Sequence, residues 1–234
     1  MGYSDTTVNH FMCYKAGLSS VYGPAILSDF AENVQTPEYT IDWVKKALFS
    51  DEPIGEIPPS PVWTSERLNW VAENKDTPRR FEPNTGHELL QGGGKVTGRL
   101  IGGCIEVLDW LRGTELFPDL ADFENAILFL ETSEDMPPPG NLLYTLRALG
   151  ATGVLERVNG LVFGKPYDNK YYEEYKPMIK KALAEYGGGD TPVLYNLSFG
   201  HCEPKFCIPF GAAAEIDCAR KSFRITESAV SGLL

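Results

Sequence analysis

The stretch AILFLE, residues 126–131, decides the fold. Five apolar residues in a row, closed by an acid, show neither a helical stripe nor in–out alternation. A run of this kind fits a strand buried on both faces, as in parallel sheets covered by helices. The pattern extends outward. GRLIGG (98–103) reads as a strand running into glycines, and IEVLDWLRG (105–113) as a helix stopped by Gly113. NLLYTLRALG (141–150) is a helix ending at Gly150, and GLVFG (160–164) is a second buried strand. Residues 170–186 form a helix with Pro177 inside it, ended by the glycines at 187–189. VLYNLSFGH (193–201) is a strand leaving into a loop, and IPFGAAAEID (208–217) and SFRI (222–225) are late strands. Strands alternating with helices make the class α/β.

The first fifty residues share this texture. Residues 5–16 carry a 3.6-residue spacing, with Gly17 at the position after the helix. Ser20–Tyr22 is a short strand closed by Gly23-Pro24. Thr36-Pro37-Glu38 reads as a helix start, with Thr36 as cap and Pro37 in the first turn. Trp43, Val44, Ala47 and Leu48 then form an apolar stripe. Residues 51–95 differ: DEPIGEIPPSPVW opens them and QGGGK closes them. They read as a linker or substrate-covering loop that carries Trp63 and Trp70. The expected division is 1–56, 57–95 and 96–234.

Composition excludes several classes. A chain of 234 residues, 43% hydrophobic, can bury a core without staples. No apolar run approaches the ~20 residues that span a bilayer. The net charge is −11, and the longest basic cluster is Lys180-Lys181, which argues against nucleic acid as a partner. The five cysteines (Cys13, Cys104, Cys202, Cys207 and Cys218) are odd in number and scattered, so they are not a disulfide framework. The N-terminal MGYSDTTVNHF has no basic and apolar leader pattern. The expected compartment is the cytoplasm.

Three residues stand out chemically. Ser4, in Gly2-Tyr3-Ser4-Asp5, precedes the first helix. A serine at a strand-to-helix turn exposes its hydroxyl, and the helix N-terminus offers N–H groups to an oxyanion. A plain helix cap is the other reading, and Thr6 stands where a G-x-S-x-G elbow has its second glycine. Glu131 closes a buried strand, where a carboxylate can orient a histidine or simply sit in a turn beside Glu134 and Asp135. His201 follows Gly200 at a strand end, where a base can reach a cleft or serve only in packing. Of the other two histidines, His10 reads as packing or solvent-facing in mid-helix, and His87 as exposed. His201, Cys202 and Cys207 lack the second pair that zinc needs. Gly92-Gly93-Gly94-Lys95 lacks the Ser or Thr of a phosphate loop, since Val96 follows, and reads as a hinge.

Taken together, GYSDTT, GRLIGG before a helix, ILFLE, FGH, and the downstream IPFG and EID resemble the LD-carboxypeptidase family of serine peptidases. The likeness runs through nearly all of the chain. It implies a Ser–Glu–His triad, with Ser4 as nucleophile, His201 as general base and Glu131 as its orienter. It also implies the Asp5 N–H as an oxyanion donor, no cofactor or metal, and a homodimer. The long tryptophan-bearing segment and GGCIEVLDWLRGT (102–114) resemble the microcin C self-immunity branch. That branch hydrolyses the amide joining an amino acid to a nucleotide-like group, whereas the other removes a terminal D-alanine from cell-wall tetrapeptides. Trp63 and Trp70 fall near the aromatics that stack the substrate's base in the immunity branch, a contact open to any purine. The other reading makes them hydrophobic anchors of a closing loop. Cys104 replaces an asparagine, Thr132 an acid, and Pro137–Leu142 an arginine-bearing segment, all of which bear on substrate preference.

The resemblance implies the back half of a flavodoxin-like N-terminal domain, then a C-terminal α/β domain with a barrel-like sheet and a cleft between them. In the family a half-domain precedes GYSD. The expectation is therefore a truncated chain that folds poorly over its first fifty residues and has little activity by itself. Two further readings are a catalytically inactive binding module of the same fold and a cysteine enzyme using Cys202 or Cys104.

Overall fold

The computed structural model describes residues 1–230. A 3-10 turn at Ser4–Thr6 leads into α1 (Thr7–Lys15), followed by β1 (Val21–Tyr22) and α2 (Glu38–Leu48). Thr40, Trp43, Val44 and Ala47 bury one face of α2, as the stripe in the sequence requires. The start of α2 differs from expectation. Pro37 is the residue before the helix, and the Thr36 hydroxyl donates to the Asp29 carbonyl at 3.2 Å instead of capping.

The next segment holds β2 (Gly55–Ile57), β3 (Val62–Trp63), β4 (Glu82–Pro83) and β5 (Glu88–Gln91). The main α/β run follows: β6 (Lys95–Cys104), α3 (Ile105–Leu111), β7 (Ile127–Glu131), α4 (Pro139–Ala151), β8 (Gly160–Gly164), α5 (Tyr172–Glu185) and β9 (Val193–Leu197). The short strand β10 (Ile208–Pro209) and the antiparallel pair β11 (Ala213–Asp217) and β12 (Ser222–Ile225) complete it. The class is α/β, as the sequence pattern requires.

One eight-stranded sheet organises these elements, in the order β2-β12-β11-β6-β7-β8-β9-β5. Strands β6 to β9 run parallel, and every outer pairing is antiparallel. β6 changes partner along its length. Lys95–Arg99 pair with β11 and alternate between exposed and half-buried, while Leu100–Cys104 pair with β7 and are buried throughout. All of β7, β8 and β9 is buried. Residues 57–95 are more than a linker. β5 forms one edge of the sheet and β2, which runs into their start, forms the other. Gly92–Gly94 make the short connection between β5 and β6.

An aromatic cluster fastens the first fifty residues to this sheet. The ring of Phe129, in the centre of β7, lies 5.4 Å from Tyr22, 6.2 Å from Phe199 and 5.6 Å from Phe210. Phe11 of α1 meets Phe210 at 5.2 Å. Burying each ring contributes about 1.5–3 kcal/mol. The start of α1 also docks on the end of β6, where the Cys104 N–H donates to the Thr7 hydroxyl at 3.2 Å. A side chain at Gly103 would stand 2.6 Å from Thr7, so glycine permits this approach. β6 to β9 therefore present their carboxyl ends towards the N-terminal segment, where α/β sheets place their ligand sites. No helix among the described residues is long and apolar enough to cross a membrane.

Candidate active site

Ser4 sits on a strand–turn–helix elbow. Gly2 pairs in parallel with Tyr22, its N–H donating to the Val21 carbonyl at 3.3 Å and its carbonyl accepting from Gly23 at 3.0 Å. Ser4 then takes φ of 60°, and the chain turns at once into the helix. A non-glycine residue held there costs about 1–3 kcal/mol, a strain characteristic of functional sites. No side-chain cap is made at either helical start, which removes the reading of Ser4 as a cap.

His10 is buried, against the solvent-facing option. Its Nε2 donates to the Gly2 carbonyl and its Nδ1 accepts from the Ser20 hydroxyl, both at 3.0 Å. Burial pulls its pKa below the usual histidine value. It clamps α1 to the strand that leads into the elbow. His87 is half-buried rather than exposed, with Nδ1 3.4 Å from the Lys221 carbonyl.

Glu131 is the last residue of β7 and is fully buried. One carboxylate oxygen accepts from His201 Nδ1 at 2.7 Å, and the other accepts from the Tyr22 hydroxyl at 2.5 Å. The same hydroxyl accepts the Ser4 N–H at 3.1 Å. One relay thus links the Ser4 backbone, Tyr22, Glu131 and His201. Gly200 makes the last link possible. It has φ of 95°, and a Cβ there would stand 2.6 Å from the Glu131 carboxylate. The Tyr3 ring packs edge-on against His201 at 4.8 Å.

His201 Nε2 faces Glu134 Oε2 at 3.0 Å. Burial disfavours the imidazolium, but the charge and hydrogen bond of Glu131, with the bond to Glu134, outweigh it and hold His201 up at about 10. The hydrogen bond to His201 outweighs partial burial and pulls Glu134 down to about 2.

A cavity of about 540 Å³ opens over this relay, within the usual size of small-molecule sites. Ser4, His201, Glu134, Arg67, Arg79 and Trp70 are among its lining residues. Trp63 lines a separate hollow with Tyr167 and Asp168, and its ring covers the Lys165 ammonium at 4.3 Å. Along the floor of the cavity runs a charge network, buried except for Arg67. Glu203 accepts from Arg67 at 2.9 Å, Arg79 at 3.0 Å and Lys205 at 3.2 Å. Lys205 also meets Asp29 at 3.0 Å and lies 3.7 Å from the centre of the Tyr3 ring. Arg79 pairs with Glu32 as well.

The cysteine reading loses its footing here. Cys104 and Cys202 are buried, which pushes Cys202 up to about 12 and Cys104 further in the same direction. The Cys104 thiol is spent on Glu106, to which it donates at 3.2 Å.

Residues 97–216 match the LD-carboxypeptidase C-terminal domain. The chain belongs to the LD-carboxypeptidase family. It is 29% identical over 234 residues to the microcin C7 self-immunity protein MccF of Escherichia coli, an alignment covering 99% of this chain and 66% of that protein. The chain thus spans about two thirds of the length of the curated relatives it matches. An MccF-like protein from Streptococcus pneumoniae, solved in complex with AMP, is 36% identical with a TM-score of 0.85, over 96% of this chain and 68% of that one. MccF solved with glutamyl sulfamoyl guanosine is 28% identical with a TM-score of 0.82, over 98% of this chain and 68% of that one.

The stretch matching the LD-carboxypeptidase domain includes Glu131 and His201, while Ser4 and Tyr22 lie ahead of it. Tyr22 was legible only as a strand residue. A hydrogen bond to a buried carboxylate is worth about 1.5–3 kcal/mol. Tyr22→Phe is expected to slow fluorophosphonate labelling of Ser4 roughly 10- to 100-fold, the rate equivalent of that loss. Labelling within twofold of the parent protein would remove Tyr22 from the relay.

Proposed function

We propose that the protein is a serine hydrolase that cleaves a small peptide-like amide through an acyl-enzyme. The Ser4–Tyr22–Glu131–His201 relay under one cavity is the observation that carries this reading. Ser4 Oγ attacks the amide carbonyl and His201 Nε2 takes its proton. Glu131, bonded to Nδ1, fixes the ring orientation and balances the imidazolium. The Asp5 N–H, at the start of the helical turn, donates to the oxyanion. His201 then gives the proton to the leaving nitrogen, and water, activated by the same ring, releases the acid.

The substrate class that fits best is an aminoacyl or peptidyl nucleotide-like amide. Relatives solved with AMP and with glutamyl sulfamoyl guanosine support it, as does the exposed Trp70 at the cavity rim, which offers a face for a base. The residues to 56 supply the nucleophile, 57–95 supply Arg67 and Trp70, and 96 onward supply Glu131 and His201. A cell-wall L,D-peptide is the competing substrate.

A fluorophosphonate probe tests the chemistry. The expected result is a single adduct, located on Ser4 by mass spectrometry and absent from His201→Ala. AMP binding without any adduct would make the protein a binding module instead. Glutamyl sulfamoyl adenosine and an L,D-tetrapeptide, offered side by side, distinguish the two substrate classes.

A further inference from the structure

Glu134 occupies the one atom of His201 that catalysis needs. His201 lies between two carboxylates, Glu131 on Nδ1 and Glu134 on Nε2. No hydrogen bond joins the Ser4 hydroxyl to His201 among the described residues. The loop after β7 explains why Glu134 can both reach His201 and leave it. Its backbone is anchored one residue earlier, where Glu106 accepts the Ser133 N–H at 2.9 Å and the Ser133 hydroxyl at 2.7 Å. The Glu134 side chain itself is 62% exposed. An exposed side chain changes rotamer on the picosecond-to-nanosecond scale without moving the loop.

The other charged groups around His201 are already committed. Arg67 bonds Glu203 and, at 3.3 Å, the His201 carbonyl. Arg79 is held by Glu203 and Glu32, and Lys205 by Asp29 and Glu203 under the Tyr3 ring. Glu66, on the cavity wall, pairs with Arg80. Once His201 is neutral, the cation among the described residues whose charge reaches Glu134 is Arg67, and its donors are already engaged by Glu203 and the His201 carbonyl. A ligand that brings a free cation restores its partner.

Resting on the hydrolase reading above, we propose that Glu134 is a substrate-operated latch. It holds His201 Nε2 and is drawn off by a primary ammonium group of the aminoacyl or peptidyl substrate, which frees Nε2 for Ser4. The exchange of one cation for another gives the ligand the differential affinity that a population shift requires. It also makes Glu134 a specificity residue: a substrate whose amine is acylated leaves the latch closed.

The test compares the protein with Glu134→Gln, a surface change that leaves the fold intact. The fluorophosphonate labelling rate of Ser4 in the parent protein is expected to climb with pH through the neutral range. A base must lose its proton to act, and its free fraction rises roughly tenfold per pH unit below its midpoint. In Glu134→Gln the profile moves to lower pH, and labelling at pH 7 is about tenfold faster or more. Glycinamide accelerates labelling of the parent protein at pH 7, N-acetylglycinamide does not, and Glu134→Gln responds to neither. Identical pH profiles, or equal effects of the two amides, would overturn the latch. If Ser4 takes no label in either protein, the hydrolase reading fails, and the His201 ring titration by NMR decides the latch alone. With three histidines in the chain that signal is assignable. A downward shift of its midpoint in Glu134→Gln supports the latch, and an unchanged midpoint sinks it.

Discussion

Ser4→Ala is expected to lower turnover by roughly a thousandfold or more and to abolish fluorophosphonate capture. The reason is local. The elbow holds Ser4 by its backbone, through the Tyr22 hydroxyl and the left-handed φ. Alanine can occupy the same backbone with nothing lost but the Oγ. The residual rate expected is that of a site with its oxyanion donor and binding surface intact. A variant that keeps a tenth of parental turnover would mean that another group attacks, and the relay would need a different explanation.

Glu203→Ala is the second large effect, and it falls on stability. Glu203 is buried with Arg79 and Lys205, and all three side chains are 5% exposed or less. Removing the carboxylate leaves those cations short of a partner, a loss of about 3–5 kcal/mol. Lys205 reports the same coupling. Burial opposes its charge, yet Glu203 and Asp29 hold it well above the ordinary lysine value. Urea unfolding measures the loss, and the double variant with Lys205→Met is expected to recover part of it. A Glu203→Ala protein within about 1 kcal/mol of the parent would show that water or rearrangement reaches this site. Because Lys205 also lies under Tyr3, beside Ser4 and His201, the variant is expected to slow Ser4 labelling as well.

How much of this was legible depended on range. AILFLE and GLVFG read correctly as buried strands because both of their faces are covered, and a continuous apolar run admits few other structures. β2 and β5 were hidden inside an apparent linker. Each is three or four residues long, sits at a sheet edge, and owes its conformation to a partner more than 100 residues away in sequence. Edge strands of that length carry no periodic signal. Trp63 and Trp70 looked equivalent in the sequence, yet only Trp70 lines the cavity. Tyr22 and Glu134 were visible as residues but not as partners of Glu131 and His201. Their roles depend on where β1 and the loop after β7 bring them.

The sequence by itself determined the α/β class, the family resemblance, and the types and order of the three candidate catalytic side chains. Apolar runs and helix stops carry the class, and the family resemblance, read from its combined motifs, carries the three side chains. Only the tertiary structure decided that a tyrosine hydroxyl links the elbow to the carboxylate, that a second acid sits on the base, and that five largely buried charges pair with one another along the cavity floor. Hydrogen bonds and ion pairs act over about 3 Å, and a sequence does not encode which distant side chains come that close until the sheet has set their positions.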